Sequence, residues 1–134
     1  MLHRLYEPKV RAGFFGLWCL GWIAVTVALL APLPFPMPGG SDLFAHVAVF
    51  AAMSFGAVTF CHGPFRLAGL ALLSTLAGLL LEYAQSFTRY RVFDLQDAWA
   101  DALGAGLGYG LALVVLYSLI RPADPALREA RARA

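Results

Sequence analysis

The chain of 134 residues is 60% hydrophobic and only 13% charged, with a mean hydropathy of +0.71. A soluble globular domain carries about 25% charged residues, so the composition excludes that class and leaves too little polar mass for a second domain. The net charge of +2 decides nothing until the charges are placed.

Crossing a hydrocarbon core takes about 20 mostly apolar residues. Four windows qualify, at about Ala12–Ala31, Leu43–Cys61, Phe65–Ala84 and Ala98–Ile120. The expected fold is therefore all-α, an integral membrane four-helix bundle. Residues 1–121 form the membrane domain and residues 122–134 a basic cytoplasmic tail. With the N-terminus inside, the inner segments hold Arg4, Lys9, Arg11, Arg66, Arg121, Arg128, Arg131 and Arg133, eight of the ten basic residues. The outer segments keep Arg89 and Arg91. That excess of Lys and Arg predicts an N-in/C-in orientation, with the Glu82–Asp101 region facing outward.

Residues 1–11 read as a basic orientation signal. The first window is an uncharged run of about 20 residues, longer than the 7–15 of a signal-peptide core, so it reads as a retained span. Trp18 and Trp22, one helical turn apart, mark a bulky face for packing or lipid contact. Cys19 and Cys61 are too few for a disulfide framework and read as buried small side chains. The segment 31–38 alternates proline with apolar residues; each proline fixes φ and removes a donor, which predicts a stiff extended connector.

Ser41 and Asp42 form a plausible N-cap for the second span. His46 lies four residues on, on the face of Asp42, where a carboxylate can fix its tautomer. The third span follows the turn His62-Gly63-Pro64. In it, Ser74, Thr75, Gly78, Glu82 and Gln85 recur at three- and four-residue steps, forming one stripe. Ionisable residues in a span usually face the bundle interior or a watery cavity, so Glu82 is expected to point inward. In the fourth span Asp94, Asp97, Asp101, Gly104 and Gly108 trace one face. Gly104-x-x-x-Gly108 predicts close helix packing, and Gly106-x-x-x-Gly110 offers a second face.

At about 1.5 Å rise per residue, His46 lies ~24 Å from His62 and Glu82 ~24 Å from Arg66. Both therefore sit at similar depth, just inside the outer edge of a core about 30 Å thick. By the same rule Asp101 is ~30 Å from Arg121. Asp42, Gln85, Asp94, Asp97 and Asp101 are expected to rim one opening, with His46 and Glu82 at its floor and Arg89 and Arg91 above it.

Taken together, Asp42-x-x-x-His46, Glu82-x-x-Gln85, Arg91, Asp94, Asp97 and the Gly104-rich helix resemble the VanZ-like family over about residues 40–110. These are small bacterial membrane proteins named for a component of teicoplanin resistance. The resemblance implies a multi-pass protein of the bacterial cytoplasmic membrane, linked to the cell envelope and to antibiotic resistance. The family usually carries Asn four residues after the second Asp of the loop; here Asp101 adds a potential charge.

Two functions fit these residues. In the first, the site binds or modifies the polar head of an envelope lipid or cell-wall precursor. Arg89 and Arg91 hold a phosphate or carboxylate, and Asp42, His46, Gln85 and Asp94 line the pocket. Glu82, Asp97 and Asp101 are the candidate acid/base groups, although no known nucleophile–base motif is visible. A divalent cation on the carboxylates and His46 is a candidate cofactor. In the second, the same residues are a non-catalytic packing network (Arg91 with Asp94 or Asp97, His46 with Glu82) in an envelope accessory or assembly protein. Transport would need an oligomer, since the inner halves of the spans carry no polar path. The glycine faces allow self-association, and nothing reads as nucleic-acid recognition.

Overall fold

A computed structural model describes residues 7–31, 41–89 and 93–120. The N-terminal tail, the proline-rich connector, Arg91 and the basic C-terminal tail lie outside the described residues. Within them the chain is helical, without strands, and four helices are long and apolar enough to cross a membrane. They are α1 (Pro8–Leu30), α2 (Ser41–Gly56), α3 (Pro64–Gln85) and α4 (Leu95–Val115). A 3-10 turn, Ala57–Thr59, ends α2, and a π turn, Leu116–Ile120, continues α4.

Local chemistry sets the helix ends. Pro8 and Pro64 start α1 and α3, where a missing N–H leaves no intrahelical bond unmade. Because Pro8 is the start, α1 takes in Lys9 and Arg11 ahead of the apolar run. Asp94 caps α4, its side chain accepting from the Gln96 N–H at 2.8 Å. That cap moves the start of α4 to Leu95, three residues before the hydropathy window at Ala98. At the C-terminus of α3, Ser86 and Thr88 donate to the carbonyls of Tyr83 and Gln85.

The bundle turns its large apolar side chains outward. Leu72, Leu76, Leu79 and Leu80 on α3 and Leu103, Leu107, Leu111 and Val114 on α4 are all exposed. In water such a surface would drive aggregation. Against lipid tails it loses nothing, and association then rests on close packing and hydrogen bonds. Helices α2 and α4 form the tightest pair. A Cβ on Gly104 would collide with the Val47 carbonyl, and one on Gly108 with the Ala51 carbonyl. By contrast, Gly106 and Gly110 face open space.

The apolar core occupies the half of the bundle nearest the α2–α3 turn. Ala57, Val58, Phe60, Cys61, Leu67, Ala112, Leu116 and Ile120 cluster there. Helix α1 has no fully buried residue. It leans on this half through Phe15, Trp18 and Trp22, whose rings meet Phe60 and Phe50 edge-on.

Candidate functional site

The opposite end, where α2 and α4 begin and α3 ends, is polar. Measured from the helix starts, His46 lies about 7.5 Å below Ser41 and Asp101 about 9 Å below Leu95, at 1.5 Å per residue. Glu82 is one turn inside the end of α3. Three helices thus bring these side chains to one level, where His46 is 2% exposed and Glu82 and Asp101 1% each.

His46 is the hub. Its Nδ1 lies 2.8 Å from Asp101 Oδ1; an ionised carboxylate only accepts, and opposite one Nδ1 carries the hydrogen. Its Nε2 faces Asp97 Oδ2 at 3.8 Å and Asp42 Oδ1 at 3.9 Å. One ligand atom from each of Asp42, His46 and Asp97 lies within 4.8 Å of the others. Asp42 is part-exposed at the opening, Asp97 less so. Glu82 Oε2 accepts from the Asp94 N–H at 3.3 Å, tying the end of α3 to the start of α4. His46 Nε2, Glu82 Oε1 and Asp101 Oδ2 are buried without a hydrogen-bond partner among the described residues.

The depth of His46 and Glu82 follows the pattern read from the sequence, whereas Asp101 differs. It is not on the rim but on the floor, bonded to His46. The early start of α4 carries it one turn below the opening, and Gly78 of α3 leaves the room it needs. A Cβ on Gly78 would collide with Asp101 Oδ2. His46 therefore pairs with Asp101, not with Glu82. Gln85 also departs from the rim: it is buried, and its Nε2 donates to the Leu29 carbonyl of α1 at 2.8 Å. Asp94 stands exposed at the mouth as the α4 cap, and Arg89 is exposed in the bend after α3. Arg91, and with it any pairing to Asp94 or Asp97, lies outside the described residues.

The VanZ/LLP1 family profile matches residues 11–117, which include all four helices' contacts just described. The chain belongs to the VanZ/LLP1 family. No curated protein and no solved structure matches it. Asp101 stands at the position where the resemblance implied Asn. The geometry shows what that residue does here: it holds the His46 ring by Nδ1. Two further contributors were not singled out for these roles, Gly78 as the space for Asp101 and Leu29 as the acceptor for Gln85. The glycine lay in a visible stripe, but a backbone carbonyl leaves no trace in a side-chain pattern.

Proposed function

We propose that this VanZ/LLP1 protein lies in the bacterial cytoplasmic membrane with both termini inside. Its acidic end opens outward, where it holds the polar head of an envelope lipid or cell-wall precursor. The orientation rests on the eight basic residues of the inner segments and the charge rule. One observation carries the binding reading: buried polar atoms of His46, Glu82 and Asp101, from three helices, are left without a hydrogen-bond partner among the described residues in one small region. Buried polar groups are costly unless paired, and ionisable groups in a span mark function by default. Exposed Arg89, with Arg91 two residues on, supplies guanidinium groups suited to a phosphate or carboxylate. Asp97, beside His46 Nε2 and nearer the opening than Asp101, takes the acid/base role in any turnover. A link to teicoplanin tolerance belongs to this reading.

Native mass spectrometry of the mildly solubilised protein tests it. An adduct of lipid or precursor mass, lost in Arg91→Ala, is the expected result; a bare mass in both would overturn the reading.

A second reading is favoured by two bonds, His46–Asp101 between α2 and α4 and Glu82–Asp94 between α3 and α4. Here the polar end only clamps the bundle of an envelope accessory protein. Asp97→Asn separates the two. Asp97 makes neither of those two bonds, so a clamp alone leaves the variant's thermal stability and phenotype as they were, whereas a binding site keeps its fold and loses the adduct or the tolerance phenotype.

A further inference from the structure

We infer that Asp42, His46 and Asp97 form a divalent-cation site, with Asp101 as the positioning residue of His46. The ion is the group through which the acidic end takes the phosphate of a headgroup. That last step rests on the binding reading above; the cation site does not.

The argument starts from the ring. With its hydrogen on Nδ1 directed at Asp101, neutral His46 presents a lone pair at Nε2. That atom is buried and has no hydrogen-bond partner among the described residues, yet two carboxylate oxygens stand before it at 3.8 and 3.9 Å. Three acceptors face one another across distances too long for a hydrogen bond.

The spacing fits an ion. Ligands about 2.1 Å from one metal stand about 3.0 to 4.2 Å apart for angles between 90° and 180°, and both His46 separations fall in that range. The three ligand atoms lie within 4.8 Å of one another, so the part-exposed Asp42 closes the remainder by a small side-chain rotation. The arrangement behind the ring matches as well. A ligating histidine typically donates its other N–H to a carboxylate, which fixes the tautomer and raises the ligand's basicity. The Asp101 bond at 2.8 Å is of that kind. Gly78, whose missing Cβ admits Asp101, therefore belongs to the same construction.

One imidazole nitrogen with two carboxylates suits a borderline divalent ion such as Zn²⁺ or Mn²⁺. Three protein ligands leave positions open for an oxygen from outside. An acidic end alone repels a phosphate, and a bound divalent ion reverses the local sign, so an anionic headgroup becomes an acceptable ligand.

The test uses the full chain in mild detergent, stripped with a chelator and titrated separately with MnCl₂ and ZnCl₂ by calorimetry. One saturable ion per chain is expected for at least one metal. Asp42→Asn and Asp97→Asn should each weaken it at least about 10-fold, and Asp101→Asn by about 10–100-fold, as for other carboxylates behind a ligating histidine. Asn keeps an acceptor for the ring, so Asp101→Asn should leave the melting temperature of the stripped protein close to wild type, and the loss is then one of ion affinity and not of fold. His46→Gln should abolish binding. Should that variant fail to fold, the Asp42 and Asp97 variants decide alone. No saturable binding, or equal affinity in all variants, overturns the site. Ion binding without any lipid adduct leaves the site standing and removes the headgroup reading. A lipid adduct kept by protein that binds no ion does the reverse.

Discussion

The two ends of this bundle are built from the same apolar helices but held by different means. Around Phe60, Leu67 and Leu116 the helices meet through dry side-chain packing. Around His46 they meet through polar groups: His46 with Asp101, Glu82 with Asp94, Gln85 with Leu29. Charge follows the same division. The turn between α2 and α3 gathers Arg11, His62 and Arg66 about one shallow recess, whereas the far end gathers Asp42, Asp97, Asp101 and Glu82. Below Ser54 and Ser74 the buried described residues are apolar, so no polar path joins the ends among them. A membrane bundle can thus keep one end closed by fit and the other polar, because lipid rewards neither arrangement by itself and packing or hydrogen bonds must supply the contact.

The largest effect that would break this contrast comes from the α2–α4 contact serving both ends. Gly104→Val drives a side chain into the Val47 backbone. Its cost should reach or exceed the upper end of the about 1–3 kcal/mol typical of overpacking, read as loss of the folded peak in size-exclusion chromatography. Next is Gly78→Ala, which crowds Asp101 at the polar end alone. It should lower stability by about 1–3 kcal/mol, and thermal unfolding of Gly78→Ala, Asp101→Ala and the double variant should show non-additivity. Additive losses would mean that the two positions do not share space. Gln85→Leu removes the bond to the Leu29 carbonyl while keeping bulk; about 1 kcal/mol should be lost, with cysteine crosslinking between the C-terminal ends of α1 and α3 reduced. The smallest effect belongs to the basic end. Arg11→Ala removes a bond to the Phe60 carbonyl of 2.9 Å, for about 0.5–1.5 kcal/mol, and should leave metal titration unchanged. A shift in metal affinity there would show that the ends are coupled.

Much of this was legible in the sequence. Hydropathy located the four spans, and residue spacing alone put His46 and Glu82 at one depth. Spacing misjudged Asp101 because depth was counted from Arg121, which lies outside the described residues, while the Asp94 cap fixes the near end of α4. Gln85 was misassigned for another reason. Its stripe with Glu82 is real, but which neighbour each member meets depends on the rotation of α3 against α1. His46–Asp101 likewise joins residues 55 positions apart on α2 and α4, a pairing that no local periodicity encodes.

Helix α1 carries a consequence for how the protein is made. Among the described residues it touches the others mainly by aromatic edges and by side-chain bonds to backbone carbonyls: Arg11 to Phe60, Trp18 to Met53, and Gln85 to Leu29. Every partner lies later in the chain, on α2, its closing turn or α3. Of the four helices α1 leaves the ribosome first, and with no fully buried residue it can wait in the bilayer at little cost. Its docking is then completed only when Gln85, at the last turn of α3, has been synthesised and inserted. The first helix made is thus not fully placed until the third is in the membrane.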